Sequence, residues 1–232
     1  MPTKNPSTAT QITGTVNPTF AGARDATSGT VVTGTTSFPA AIKYSKVAGA
    51  RGDSISINRF FIEFDTSDIS VTPADATLQI PGSTNSSADF FAVKATFSDG
   101  SLANGDFDAI DGWTAGADNS SNVTKYSSEV TSWSTSGLNE FSLTSDALSD
   151  MVSEDNFKIC LIQADHDLPN NDVVSVTQKT GLWRTFNTIH LDYTEGTAAS
   201  GYTHKVVGVT AGSIGKVNGV ATANIGKVNS VD

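Results

Sequence analysis

The stretch Ser54-Ile55-Ser56-Ile57-Asn58-Arg59-Phe60-Phe61-Ile62-Glu63-Phe64-Asp65 decides the fold class of this chain. Isoleucines at positions 55 and 57 alternate with polar residues, and apolar side chains at 60, 62 and 64 alternate again, one residue out of step. Alternation with a period of two is typical of a β-strand that buries one face. The change of phase at 58–59 predicts a bulge or a bend within that strand.

A second run, Phe157-Lys158-Ile159-Cys160-Leu161-Ile162, is almost continuously apolar. Such a run is typical of a central strand that is covered on both faces. A helix is predicted over Ser145–Ser153, where Ser145 is a candidate cap, and Pro81-Gly82 is expected to end a strand. The further strand candidates include Thr30–Val32, Ile42–Tyr44, Ala76–Ile80, Asp89–Phe97, Val173–Val176 and Thr188–Tyr193.

The composition also favours strands over helices. The 232 residues include 28 Ser, 30 Thr and 32 Val plus Ile, against only 11 Leu plus Met. Acidic residues are 19 Asp and 5 Glu, and Asp is a turn and cap residue whereas Glu is a helix former. The sequence therefore predicts an all-β protein, a two-sheet β-sandwich that is jelly-roll-like.

The net charge, the hydropathy and the cysteine count indicate the class of protein to which the chain belongs. The formal net charge is −10, which disfavours a nucleic-acid binder because such a protein needs a basic surface. No apolar run approaches the length of a membrane span, and the first eleven residues lack the apolar segment of a Sec signal. The lone cysteine, Cys160, lies in a strand candidate and is interpreted as a small core residue.

The chain is expected to have three parts. Residues 1–14 are polar and are interpreted as an N-terminal arm that a partner must order. Residues 15–196 form the sandwich, and residues 197–232 form a C-terminal repeat tail in which Lys-Val recurs every 11 residues. The residues assigned to assembly are Lys205, Val206, Lys216, Val217, Ile225, Lys227 and Val228.

Each repeat is too short to bury itself, so the tail needs a surface on which to lie. That surface is either the flank of its own domain or a neighbouring subunit. A disordered tail is the third alternative, although the Val and Ile content argues against it.

Two groups of side chains are candidate binding sites. Asp165-His166-Asp167 follows a strand, where a polar turn is expected, and calcium binding by Asp165, Asp167 and Asp172 is the alternative. Trp113 lies in the long polar stretch 98–125 and is the best candidate for an exposed ring that stacks on a sugar, whereas Trp133 is expected to pack in the core.

No motif for nucleophilic, metalloprotease or phosphate-binding chemistry occurs in the sequence. Paired carboxylates carry no signal in a chain with so many aspartates. We therefore expect a protein that is not an enzyme and that has no cofactor apart from possible calcium.

Two resemblances extend these predictions. From Arg59-Phe60-Phe61-Ile62-Glu63-Phe64-Asp65 through Asp75-Ala76-Thr77-Leu78 to His190-Leu191-Asp192-Tyr193, the order of segments resembles the DNRLRE-type carbohydrate-binding module family. The segments Asp146-Ala147-Leu148, Phe157–Asp167 and Gly201–Val209 and the Ile-Gly-Lys-Val-Asn repeats resemble structural proteins of tailed phages.

The resemblances imply a function without catalysis. The expectation is a bacteriophage virion protein, either a capsid decoration or a tail fibre component, that forms a homo-oligomer and contacts other virion subunits through its terminal arms. The alternative is a glycan-binding module on a phage fibre or a bacterial surface, with host surface glycans as its partners. Neither hypothesis involves nucleic acid or a membrane.

Overall fold

The computed structural model describes residues 1–32, 40–47, 54–86, 89–134, 136–172, 178–183, 189–197, 216–217 and 220–221. The chain divides into two compact units, Met1–Glu195 and Gly196–Asp232. The division falls beside the expected start of the tail at residue 197. Within the described ranges, no helix is both long enough and apolar enough to cross a membrane.

The first unit consists mainly of strands. The helices described in this unit are α1 (Phe20–Arg24) and α2 (Ser145–Ser153), and a 3₁₀ turn covers Asn104–Asp106. The strands described in this unit are β1 (Thr3–Lys4), β2 (Thr8–Gly14), β3 (Gly29–Val32), β4 (Ala40–Val47), β5 (Ser54–Asp65), β6 (Asp75–Ser86), β7 (Phe90–Lys94), β8 (Leu138–Ser142), β9 (Asn156–Gln163), β10 (Gln178–Trp183) and β11 (His190–Thr194).

Nine of these strands form two antiparallel sheets. The first sheet has the order β8-β6-β11-β1, and the second has the order β3-β2-β5-β9-β7. Side chains from both sheets meet in one core, so the prediction of an all-β two-sheet sandwich is confirmed. The central strand predicted over Phe157–Ile162 is β9, which pairs with β5 on one edge and with β7 on the other.

Strands β4 and β10 join the two sheets along one side. The first third of β5 pairs with β4, β4 pairs with β10, and β10 pairs with the last part of β6. On the opposite side, the backbone of Tyr126 connects the sheets, since its N–H donates to Ala92 at 2.8 Å and its carbonyl accepts from Thr144 at 2.9 Å. The sandwich is therefore bridged on both sides.

Of the bulge or bend predicted within β5, the bulge is wrong. Pairing along β5 is continuous with β2 over 58–63, with β4 over 54–57 and with β9 over 60–65. The two apolar rows instead point to opposite faces, because both faces of β5 are buried: Phe60, Ile62 and Phe64 lie in the core between the sheets, and Ile55, Ile57 and Phe61 lie in a second core. The change of phase marks the point where β9 ends as a partner and β4 begins.

The second core lies on the outer face of the second sheet. Apolar side chains of β5 and β9 are covered there by α1, by the polar stretch 98–125 and by the turn after β9. Phe20, Phe107 and Leu168 are the buried anchors of these three segments. Cys160 is fully buried in this core, as predicted, and burial raises the pKa of its thiol.

The core between the sheets includes the residues expected there. Trp133 is 4% exposed and packs edge-to-face on Phe90, with ring centroids 5.6 Å apart. Helix α2 has the predicted bounds and buries Ala147 and Met151, but its N-cap is Thr144 rather than Ser145. The short helix α1, capped by Thr19, was not predicted.

The N-terminal arm expected over residues 1–14 is part of the sheets. β1 pairs with β11, and β2 pairs with both β5 and β3. Ile12 is the apolar residue that β2 buries completely, and its other side chains include three threonines. This low apolar content explains why the segment looks like an arm in the sequence.

Residues Pro81-Gly82 do not end a strand, contrary to expectation. β6 runs through them to Ser86 and changes partners there, from β8, whose last pair is Pro81 with Leu138, to β10, which pairs with Gly82. The backbone carbonyl of Ser134 comes so close to Gly82 that a Cβ atom at this position would lie 1.7 Å from its oxygen. Glycine is therefore required where β6 passes from one sheet to the connecting strands.

Replacement of Gly82 by alanine should destabilise the sandwich. The added methyl group meets a backbone oxygen, so the chain must shift, and overpacking of this kind costs about 1–3 kcal/mol. The matched control is Gly105→Ala, because a Cβ atom at Gly105 meets nothing within 4 Å. Urea denaturation should show a lower midpoint for Gly82→Ala and a nearly unchanged midpoint for Gly105→Ala; equal midpoints would contradict the close approach.

The second unit contains two described strands, β12 (Lys216–Val217) and β13 (Val220–Ala221). They pair antiparallel, with Lys216 opposite Ala221 and Val217 opposite Val220. The two residues between them in the sequence, Asn218-Gly219, are the dipeptide that two-residue hairpin turns favour. The assembly residues Lys205, Val206, Ile225, Lys227 and Val228, and a strand expected at Val173–Val176, lie outside the described residues.

Candidate functional site

A cluster of charged side chains lies within the second core. Arg59 projects from β5 on the same face as Phe61, and its side chain is fully buried. Its Nε and Nη2 atoms donate to the two carboxylate oxygens of Asp167 at 2.9 and 2.8 Å. Asp167 is also fully buried, so the two groups form a bidentate ion pair that is removed from water.

Backbone carbonyls, together with the carboxylate of Asp25, accept further hydrogen bonds from the two arginines of the cluster. Arg59 donates through Nη1 to Phe107 at 2.8 Å and through Nη2 to Arg24 at 3.2 Å. Arg24, which is also fully buried, donates to the carbonyls of Asp167 at 2.6 Å and Ala117 at 2.8 Å and to the carboxylate of Asp25 at 2.7 Å. The cluster therefore ties α1, the stretch 98–125 and the turn after β9 to β5.

The pKa shifts follow from burial and from the shared carboxylate. Burial lowers the pKa of Arg24 more than the charges of Asp167 and Asp25 raise it. Burial also acts to lower the pKa of Arg59, but the charge and hydrogen bonds of Asp167 outweigh it, and the net pKa lies above the usual value. Arg59 is therefore held in its charged form.

Trp113 covers this cluster. The ring centroid lies 4.3 Å from the guanidinium carbon of Arg24 and 4.0 Å from that of Arg59, distances typical of cation–π contacts. The side chain is half-buried, and its Nε1 atom is buried without a hydrogen-bond partner in the described part of the chain. The expectation of an exposed aromatic platform is thus corrected: the ring packs on two buried arginines.

The turn Asp165-His166-Asp167 has the geometry of a polar turn, as its position after a strand predicts. The side-chain oxygen of Gln163 accepts from the backbone N–H of His166 at 2.7 Å. The side-chain amide of Gln163 donates to Asp165 at 3.1 Å, and His166 Nδ1 lies 2.9 Å from the carbonyl of Asn171. These bonds close the turn that carries Asp167 into the second core.

The predicted calcium ligands do not come together. Asp167 is the partner of Arg59, and Asp172 is exposed at the end of the turn. Asp165 instead lies near Asp89 and Glu129, whose carboxylate oxygens and its own lie within 4.8 Å of one another. Carboxylates are the oxygen ligands that Ca²⁺ uses, so this is the set that could hold an ion.

A polar groove of about 300 Å³ lies where β7 ends and β9 begins. Lys94 donates to Asp150 at 2.9 Å and to Glu154 at 2.7 Å, both at the carboxyl end of α2. Lys158 is paired with Asp99. The residues that line the groove are Lys94, Ala95, Thr96, Asp99, Glu154, Asp155, Asn156 and Lys158.

Three groups at or beside this groove have pKa shifts that favour their usual charge states. Burial acts to lower the pKa of Lys94, but the bonds to Glu154 and Asp150 raise it above its usual value. A hydrogen bond from Lys158 lowers the pKa of Asp99. Tyr126 donates to the same Asp150 carboxylate. The pKa of the phenol is raised chiefly by burial and also by this hydrogen bond. The groove thus offers ammonium and carboxylate groups in fixed pairs.

Comparisons with known proteins give no family for this chain. No protein-family model matches it, and the search of curated proteins found no match.

Loss of the Asp167 carboxylate should destabilise the fold strongly. Asp167→Asn leaves two buried guanidiniums without their shared counter-charge, and breaking a buried pair costs about 3–5 kcal/mol. Asp172→Asn is the control, since it makes the same change on an exposed side chain of the same turn. The free energy of unfolding from urea titration should fall only for Asp167→Asn; equal values would mean that the ion pair does not support the second core.

Proposed function

We propose that this protein is a non-enzymatic structural protein of a bacteriophage virion, either a capsid decoration or a tail fibre component, that assembles through its C-terminal repeats. The observation that carries the proposal is the division of the chain into a closed sandwich, Met1–Glu195, and a separate repeat-bearing unit, Gly196–Asp232. The virion context rests on the resemblance of the repeats and of the Phe157–Asp167 segment to phage structural proteins.

The sandwich has the properties of a rigid structural body. Both faces of β5 are buried, and both sides of the sandwich are bridged. The segments that cover the second core are held by buried charge-assisted hydrogen bonds rather than by apolar contacts alone. Such bonds are shorter and stronger than neutral ones, so they favour one fixed arrangement.

The repeat unit has the properties of an attachment element. The two-residue strands β12 and β13 are much shorter than a stable isolated hairpin needs. Ordering a backbone residue costs about 1–2 kcal/mol, and one buried Val or Ile side chain returns about 1.5–3 kcal/mol. A repeat of 11 residues with few apolar side chains therefore depends on neighbouring repeats or on a partner.

Truncation tests this proposal. A chain that ends at Gly196 should remain folded, because the core, the connecting strands and the charge cluster lie before that residue. It should not be incorporated into virus particles, since the repeat unit is missing. Circular dichroism reports the fold, and quantitative immunoblotting of purified particles reports incorporation, with the full chain as the control.

Three results would contradict the proposal. Incorporation of the truncated chain at the level of the full chain would show that the repeats are not the attachment element. Unfolding of the truncated chain would show that the repeats support the sandwich itself. Absence of the full chain from particles would overturn the virion assignment.

Glycan binding is the second candidate function, and the polar groove favours it. In such a pair, the ammonium can donate to one hydroxyl group of a sugar and the carboxylate can accept from a neighbouring hydroxyl group. Lys158 is positioned for this by Asp99 and by the ring of Phe97, whose centroid lies 5.5 Å from its Nζ. Trp113, the residue that the sequence favours for sugar stacking, does not line the groove.

Substitution of Lys158 by methionine should remove glycan binding at the groove, because the ammonium is lost while the apolar stem remains. Trp113→Phe is the comparison, since it keeps a ring on the two arginines. Titration of a host cell-wall glycan against ¹⁵N-labelled protein should shift resonances of Lys94, Thr96 and Asn156. Loss of binding in Trp113→Phe but not in Lys158→Met would place the site at Trp113 instead.

A further inference from the structure

The exposed charged side chains that the structure describes in the sandwich have one sign. Among the described side chains, every charged residue in the exposed class is a carboxylate. They are distributed over the strand ends, the turns and helix α2 rather than in one patch. The exposed carboxylates are Asp65, Asp68, Asp75, Asp99, Asp118, Glu129, Glu140, Asp146, Asp155, Asp172 and Glu195.

The basic side chains described in the sandwich are buried or half-buried and already have partners. Arg24 and Arg59 lie in the charge cluster, and Lys94 and Lys158 lie at the groove in ion pairs. The two others are Lys4, which pairs with Asp68, and Lys125, whose Nζ lies 4.6 Å from the ring centroid of Phe91. In the described part of the sandwich, the positive charges therefore serve internal contacts, and the exposed charged side chains are acidic.

The two units carry opposite net charge. Residues 1–195 have 11 Lys plus Arg against 23 Asp plus Glu, a formal charge of −12. Residues 196–232 have three Lys against one Asp, a formal charge of +2. Their lysines, Lys205, Lys216 and Lys227, recur every 11 residues at the same place in each repeat. Charge is thus separated along the chain rather than balanced within each unit.

We propose that the lysine-bearing repeat unit of one copy docks on the acidic sandwich of a second copy. The inference rests on the proposed function and names the partner of the repeats. Contact between two repeat units would bring lysines together, and contact between two sandwiches would bring carboxylates together. Repulsion between charges of the same sign opposes both kinds of contact. Contact of the repeat unit with a sandwich joins opposite charges.

This contact is heterologous, because it joins two different surfaces. A heterologous contact continues from copy to copy and gives a ring if the rotation closes and a filament if it does not.

Charges at a solvent-exposed contact are screened over a Debye length of about 8–10 Å at physiological ionic strength. Association should therefore weaken by about tenfold or more between low and high salt.

The test uses the full chain in three forms. Wild type, a triple variant with Lys205→Gln, Lys216→Gln and Lys227→Gln, and a control with the same three lysines changed to arginine are compared by sedimentation velocity at low and high salt. Wild type and the arginine form should associate at low salt and dissociate at high salt. The glutamine form should remain monomeric. Circular dichroism checks that all three forms are folded.

Cross-linking identifies the surfaces in contact. Equal amounts of ¹⁴N and ¹⁵N protein are mixed and treated with a carbodiimide, which joins an amine and a carboxylate that touch. Mixed-isotope peptides that link the repeat lysines to carboxylates such as Glu129 or Glu140 are the expected result. Links within single-isotope molecules only would show that the repeats dock on their own sandwich and would overturn the proposal.

The remaining outcomes separate this proposal from the proposed function. A wild-type chain that is monomeric at low salt, or a glutamine form that associates like wild type, overturns docking through the lysines. If that glutamine form is nevertheless incorporated into particles while the chain ending at Gly196 is not, the repeats attach the protein by another contact. Absence of all forms from particles would instead reject the virion assignment.

Discussion

The ion pair between Arg59 and Asp167 is the interaction on which the second core depends. A guanidinium and a carboxylate that are both fully buried lose their hydration, and only good geometry compensates for that cost. Here both carboxylate oxygens are bonded, and carbonyls from Phe107 and Arg24 accept further donors of Arg59. Movement of any of these segments would leave a charge unpaired, so the cluster selects one arrangement of the loops.

The cluster also explains why a polar stretch can cover a sheet. The stretch 98–125 buries few large apolar side chains, chiefly Phe107 and Ile110, and most of its residues are polar. Its backbone is fixed by Arg24 and Arg59, and Asn119 bonds both the N–H and the carbonyl of Thr114. Hydrogen bonds to buried side chains therefore supply the order that apolar contacts supply in the core between the sheets.

Much of the sandwich could be predicted because β5 and β9 signal their environment directly. Continuous apolar residues at Phe157–Ile162 and two apolar rows in β5 are consistent with strands buried on both faces. The two rows indicate a bulge or a bend when only the sequence is considered, because the sequence does not show that a second core exists. That core is built from segments distant in sequence, and local periodicity carries no information about it.

The sequence contains one indication of the charge cluster, which is the position of Arg59 among apolar residues. Arg59 occupies an inward position of an otherwise apolar row, and a buried arginine requires a carboxylate partner. Which of the 19 aspartates provides it depends on the path of the turn after β9, so Asp167 resembled a metal ligand in the sequence. β2 was missed for a different reason, since its threonine-rich residues are stabilised by pairing with β5 rather than by burial alone.

The closed architecture leaves few ways for the sandwich to associate. Bridging on both sides covers strand edges, and on the outer strand β3 the N–H of Val31 donates to the side chain of Asn104 at 2.9 Å. Among described residues, the large apolar side chains that are exposed are only Met1, Val16, Val32 and Leu138. In the part of the sandwich that the structure describes, neither a free strand edge nor an apolar patch is therefore offered on a scale that gives stable contacts. What the described surface does offer is negative charge, and a partner for such a surface must bring positive charge with it.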